Sequence, residues 1–199
     1  MTRFGNGVEI YGGCDGYEVS GCYIYEVYDA GATHQITTGG KTYVMKNIKY
    51  ADNLFVRCVY GIEYFLEIVG GGKDSYMKDV VISNNVFNES GCGWGQQRHN
   101  EHTPAHIKGW SFENHAKDFT ISNNVFGKSA YRMLHLVAEE EGSLPKMQSN
   151  VYIQTVGGML GQYGAKKEGE PDIVYFDQSR EHNVQEVFGD SEALIYELS

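Results

Sequence analysis

The stretch KDVVISNNVF at 78–87 returns as KDFTISNNVF at 117–126, with eight of ten letters unchanged. A fixed internal repeat points to a stacked architecture in which each copy contacts only its neighbours. Three weaker copies keep the same register: YEVSGCYI at 17–24, IKYADNLF at 48–55 and PKMQSNVY at 145–152. Aligned on the strong pair, they set Cys22, Asn53, Asn85, Asn124 and Asn150 in one column. Ile24, Phe55, Phe87, Phe126 and Tyr152 follow two residues later, at intervals of 31, 32, 39 and 26 residues. Before each turn, apolar residues alternate (Tyr17 and Val19, Ile48 and Tyr50, Val80 and Ile82, Phe119 and Ile121). A period of two means strand, and no helical spacing lies between the copies, which excludes a βαβ sheet.

What remains is a parallel coil whose turns lie about 4.8 Å apart, so that like residues stack on like. Asn side chains at one bend can then pass amide hydrogen bonds from turn to turn, with the aromatic residues stacked beneath them. Cys22, a feeble donor, ends that series. On the ISNNVF phrases, the Asn column and the aromatic column, the chain resembles the right-handed parallel β-helix proteins of the pectate-lyase-like superfamily. The resemblance implies an all-β solenoid of about five coils, occupying 1–165, with a loop insertion at about 98–112 and a cap or irregular strands at 166–199. It also implies a carbohydrate-active protein, since members of that superfamily are often polysaccharide lyases or glycoside hydrolases.

Composition narrows the ligand. A net charge of −10 disfavours nucleic acid, anionic lipid and polyanionic sugars, whereas a neutral polysaccharide or oligosaccharide is compatible with it. No apolar run is long enough to cross a membrane as a helix, and the first ten residues lack a signal-peptide core. By resemblance, the parent protein is expected to be secreted, periplasmic or at the cell surface. Repeat-like sequence begins near Gly5, so the reading expects an earlier part of the β-helix, or a second subunit, to cover the first coil. The four cysteines form no CxxC motif; they are free thiols or include one Cys14–Cys22 bridge.

The same offsets stack DAGATHQ from Asp29, VYGIEYF from Val59, GCGWGQQ from Gly91 and AYRMLHL from Ala130. This register predicts a column of Gly31, Gly61 and Gly93, interrupted by Arg132. Such glycines form either the floor of a groove or a set of tight turns. Asp29, Glu63 and His34 are the candidate catalytic residues, with His34 either a buried hydrogen-bonded ring or a proton shuttle. The candidate substrate-binding residues are Gln35, Gln96, Gln97, Trp94, Arg98, Arg132 and His135, whose amides, rings and cations suit sugar hydroxyls. Asp29 and Glu63 lie one coil and four residues apart, roughly 14 Å, beyond the separation either hydrolytic geometry uses. The register slips, another carboxylate completes the pair, or the face is not hydrolytic.

No metal is expected at His99, His102 and His106, because Pro104 interrupts the helix that their spacing would need. No cofactor is expected, apart from calcium if the chain is a lyase, as the resemblance implies for that class. Hydrolysis is favoured over lyase chemistry. The alternative is a non-catalytic glycan-binding or structural β-helix of the adhesin or tailspike kind.

Overall fold

The chain turns at fixed places because residues that tolerate a left-handed backbone recur there. Gly21, Asp52, Asn84, Asn123 and Ser149 have φ between 55 and 62°, a region that Gly, Asn and Asp occupy at least cost. The doubled Asn of ISNNVF is thereby divided between two tasks. The first Asn makes the bend, and the second makes the amide contacts.

The computed structural model describes residues 5–93, 104–110, 116–166, 169, 171–176 and 181–198. Three sheets are built in rotation. The first contains β1 (Val8–Tyr11), β4 (Ala30–Thr37), β7 (Tyr60–Glu67), β10 (Ala105–Gly109), β13 (Leu134–Ala138) and β16 (Met159–Ala165). These are all parallel, and β17 (Val174–Tyr175) is added antiparallel. The second contains β2 (Cys14–Ser20), β5 (Val44–Ala51), β8 (Tyr76–Ser83), β11 (Ala116–Ser122) and β14 (Lys146–Gln148). The third contains β3 (Tyr23–Tyr25), β6 (Leu54–Val56), β9 (Val86–Asn88), β12 (Val125–Phe126), β15 (Val151–Gln154) and β18 (Leu194–Glu197). Each circuit of the chain lays one strand in each sheet, an arrangement consistent with a β-helix.

The repeated phrase aligns as the sequence requires. Tyr17, Ile48, Val80 and Phe119 are in register across the second sheet, as are Ile24, Phe55, Phe87, Phe126 and Tyr152 across the third. The aromatic rings stack at 5.0 Å (Phe55 and Phe87) and 5.4 Å (Phe87 and Phe126; Phe126 and Tyr152). Each fully buried ring contributes roughly 2–3 kcal/mol. Above them, Asn53 Nδ2 donates to Asn85 Oδ1 (2.9 Å), Asn85 to Asn124 (3.0 Å) and Asn124 to Asn150 (3.1 Å). The second proton of each Nδ2 goes to a backbone carbonyl of the preceding circuit, at Val19, Tyr50 and Ile82. Asn150 donates to the buried carboxylate of Asp190 (2.9 Å), and Asn53 Oδ1 accepts from the Cys22 backbone N–H (3.0 Å). An acceptor-only group thus closes one end and a backbone donor the other.

The first sheet departs from the sequence register in the third and fourth circuits. In the third circuit the strand is Ala105–Gly109, not the segment from Gly91: Gly91 and Gly93 have φ of 82° and 66°, which an extended strand cannot accommodate. Ala105 and Ile107 repeat the places of Tyr60 and Ile62. Part of the stretch at 98–112 expected to be a loop is therefore sheet. In the fourth circuit, Leu134 rather than Met133 stands in register with Ile107, so every side chain there shifts by one. A one-residue slip turns each side chain to the other face.

At Gly31 and Gly61 the glycine column is neither a groove floor nor a turn, and Gly93, with its left-handed φ, stands outside it. A Cβ on Gly31 would lie 2.7 Å from the Phe55 ring, and one on Gly61 would lie 2.5 Å from the Phe87 ring and 2.7 Å from the His106 carbonyl. The glycines face the core and let the aromatic stack approach the first sheet. His106, fully buried in the next circuit, stacks on Phe126 instead.

Beyond β16 the expected cap includes a helix, α1 (Glu181–Phe188), whose Val184 and Phe188 are fully buried. Phe188 stacks on Tyr152 at 5.7 Å. All four cysteines are free thiols, so no Cys14–Cys22 bridge forms.

Candidate functional site

Alternation along the first sheet separates core-facing from outward side chains. Ala32, His34 and Ile36 of β4 face the core, and Thr33 and Gln35 face outward. Parallel register then fixes an outward column across six strands: Glu9, Thr33, Glu63, Lys108, His135 and Gln162. Neighbours in it stand about 4.8 Å apart at the backbone. All but Glu9 are buried.

Glu63 is the most connected member. Its Oε1 accepts from Trp110 Nε1–H, and its Oε2 accepts from Gln35 Nε2–H at 3.1 Å. The same Gln35 amide donates to Thr33 Oγ1 at 2.8 Å. Burial pushes the Glu63 carboxyl up to about 7, outweighing the Trp110 hydrogen bond, the Lys108 charge and the Gln35 hydrogen bond, which all favour the ionised form. The Lys108 ammonium lies 4.5 Å from the Trp110 ring centroid. His135 Nδ1–H donates to the Gly109 carbonyl at 2.8 Å, so that ring nitrogen carries a proton. Arg132, one column over, donates to Gln162 Oε1, while Gln162 Nε2–H donates to the Pro171 carbonyl at 2.8 Å.

The arrangement joins a carboxyl that exchanges its proton near neutrality to a cation, an imidazole and an amide along one line, with the Gln35 amide beside it. Its chemical capacity is proton donation at Glu63, flanked by groups that donate to or accept from hydroxyls.

Of the residues expected from sequence, the structure brings together Glu63, Gln35, Arg132 and His135. It separates His34, a correction: the ring is fully buried on the core side, with Nδ1 at 2.9 Å from the Tyr50 hydroxyl and its plane stacked on Tyr64. Burial lowers His34 to about 3, so the ring stays neutral near neutral pH and takes up no second proton there. Asp29 is buried before β4, its carbonyl accepting from the Val59 and Tyr60 N–H groups. With Ala30 and Thr33 opposite Tyr60 and Glu63, Asp29 remains four residues and one strand from Glu63, about 14 Å. The two therefore make no catalytic pair. Trp94, Gln96, Gln97 and Arg98 lie outside the described residues, as do His99 and His102. Among the described residues, no three of His, Cys, Asp and Glu are grouped to hold a metal ion.

Five residues of the site are absent from the sequence expectation: Glu9, although GVEIY alternates as a strand; Thr33, within the stacked DAGATHQ; Lys108 and Trp110, within the stretch expected to be a loop; and Gln162, in a segment with no shared letters. Glu9 stands two strands from Glu63, about 10 Å at the backbone. It accepts from Asn6 Nδ2–H at 2.7 Å. Comparison with protein-family models, with curated proteins and with solved structures finds no match.

Proposed function

We propose that the chain is a right-handed parallel β-helix whose amide row is an Asn ladder, and that the outer face of its first sheet binds and cleaves a neutral glycan. The outward column carries the reading, and within it Glu63, with its carboxyl raised to about 7 by burial. A general acid for a glycosidic oxygen must hold its proton at working pH, and desolvation is how a carboxyl does so. Glu63 is the proposed acid. Glu9 is the proposed base for water: the two backbones stand about 10 Å apart, just beyond the roughly 6.5–9.5 Å between carboxyl groups of the inverting geometry, so the inverting geometry needs the two side chains to lean toward one another. Trp110 offers a ring for a sugar face, and Gln35, His135 and Gln162 offer donors and acceptors along its length. A net charge of −10 favours a neutral polymer over a uronate. The same reading assigns the parent protein to the cell surface, the periplasm or the exterior, and leaves calcium without a role.

The burial of Glu63 beneath Trp110 favours a second reading, in which the face binds glycan without cleaving it. A glycan array and a reducing-sugar assay on the full chain and on Glu63→Gln separate the two. Hydrolysis requires the wild type to release reducing ends and the variant to bind with cleavage lower by about 10²-fold or more. Binding by both with no cleavage selects the second reading. If neither protein binds any glycan, the carbohydrate assignment fails.

A further inference from the structure

Where the fourth and fifth circuits pass from the third sheet to the first, the corner holds a cleft of about 340 Å³, within the range of small-molecule sites. Lys128, Tyr131, Thr155, Gly157, Met159 and Tyr175 are among its walls. Two of these carry exposed rings, Tyr131 at 39% and Tyr175 at 50%. Single exposed rings scattered over a surface need no explanation, but two lining one concavity do. Both are held from behind. Tyr175 stands opposite Met159 in the antiparallel pair of β16 and β17, and its neighbour Phe176 is buried. Gly157 N–H donates to the Phe176 carbonyl at 2.8 Å, and Phe176 N–H donates to the Gly158 carbonyl at 2.7 Å. The guanidinium carbon of Arg132 lies 5.4 Å from the Tyr131 ring centroid, and Arg132 donates to Gln162 Oε1. Arg132 therefore connects the cleft to the outward column that contains Glu63.

The lining suits one class of ligand. In a chain of net charge −10, none of the described residues that line the cleft is acidic. Lys128, the Thr155 hydroxyl and the two phenols offer hydrogen-bond donors and acceptors, and the two rings offer apolar faces. Gly157, at φ 78°, has no atom within 4 Å of the place of a Cβ, so the backbone there is open to a ligand. A sugar ring presents the matching surfaces, C–H groups on its faces and hydroxyls around its edge. We propose that this cleft is a second binding site for the neutral glycan, in which a sugar packs on Tyr131 and Tyr175 while Lys128 and Thr155 hydrogen-bond its hydroxyls. The proposal rests on the reading of the chain as a glycan-binding protein. Met159 and Tyr175 stand three and four strands from Glu63 in the first sheet, so the cleft lies about 14–19 Å farther along the stack. One polymer reaching both places gains affinity from the second contact by effective concentration, with no change at Glu63.

Affinity electrophoresis of the full chain through soluble xylan, glucomannan, mixed-linkage glucan and dextran selects the polysaccharide that retards it most. With that polysaccharide present and absent, exposed tyrosines are acetylated with N-acetylimidazole and mapped by mass spectrometry. Acetylation of Tyr131 and Tyr175 is expected to fall several-fold in its presence. Tyr23 and Tyr25, exposed at 61% and 59% on the apolar outer face of the third sheet, are expected to react alike in both and serve as internal controls. Tyr131→Ala with Tyr175→Ala is expected to raise the Kd for the polysaccharide about tenfold while far-ultraviolet circular dichroism stays unchanged. Should that variant misfold, protection of the wild type decides. If the wild type is retarded, but Tyr131 and Tyr175 are acetylated equally with and without polysaccharide, or the folded double variant is retarded equally, the second site is overturned and the glycan reading stands. A wild type that no polysaccharide retards overturns the glycan reading, and the second site with it.

Discussion

Glu63→Gln isolates one buried proton. The Glu63 carboxyl rises from an ordinary 4.5 to about 7 in the folded chain, so the native state binds a proton that the unfolded state has already released between those values. Its contribution to stability is fully present below pH 4.5 and is lost as pH rises through 7. The difference of about 2.5 units, at 1.36 kcal/mol each, gives about 3 kcal/mol, a substantial part of the total stability of a domain this size. Glutamine preserves the shape. Its carbonyl can accept from Trp110 Nε1–H, and its amide can face Gln35 once that amide turns to present oxygen, with the Thr33 hydroxyl donating in place of accepting. Urea unfolding of both proteins at pH 5 and pH 8 measures the effect. Subtracting the variant removes every other titrating group, including the buried His34 and His106, whose lowered values make the protein gain stability with rising pH below about 6.5. The wild-type stability minus that of the variant is expected to fall by about 2.5 kcal/mol from pH 5 to pH 8, most of the full span. A change smaller than about 1 kcal/mol, or one of opposite sign, would mean that Lys108, Trp110 and Gln35 keep Glu63 ionised, and the acid role would go with it.

Asn124→Leu removes an amide whose oxygen accepts from Asn85 N–H and Nδ2–H and whose nitrogen donates to the Ile82 carbonyl and Asn150. With those groups orphaned in the interior, the urea midpoint is expected to report a loss of roughly 3–5 kcal/mol; a loss near 1 would show that water or backbone movement replaces the amide. Gly61→Ala sets a methyl against Phe87 and the His106 carbonyl, and thermal unfolding should show about 1–3 kcal/mol of destabilisation. Gly142→Ala, with no atom within 4 Å of the new Cβ, serves as its neutral control.

The second and third sheets were legible because their columns repeat a letter or a class. A stack of identical amides satisfies itself, so stacking selects identity, and identity is what a single sequence displays. The apolar outer strip of the third sheet was equally present in Leu54, Val86, Val125 and Val151, which sit beside the Asn column. The first sheet resisted for the opposite reason. No letter recurs across Thr33, Glu63, Lys108 and His135, so their alignment depended on counting residues across loops of unequal length. A single-residue error placed His135 with His34 in the core and Arg132 with the glycines. The insertion of the third circuit concealed β10 because GCGWG offers the same apolar alternation as AHIKG. Only the left-handed glycines distinguish them. The helix α1 was not foreseen within the expected cap or irregular strands at 166–199, although Val184, Val187 and Phe188 stand at helical spacing.

The contrast between the two kinds of column bears on purpose as well as legibility. The Asn series and the aromatic stack each lower the free energy of the coil they belong to, and any circuit added to the stack gains by repeating them. Glu63, Lys108, His135 and Gln162 share no contact that repeats from circuit to circuit. Each is buried, and each buried polar or ionic group costs free energy that its partners only offset. Apolar residues of similar volume in those four places would be neutral or stabilising, as they often are for buried ion pairs. Stability therefore does not account for the composition of this column, whereas it accounts fully for the other two. What distinguishes the four is that they put a proton, a cation, an imidazole and an amide in line at the strand spacing, on a sheet face whose residues change from circuit to circuit.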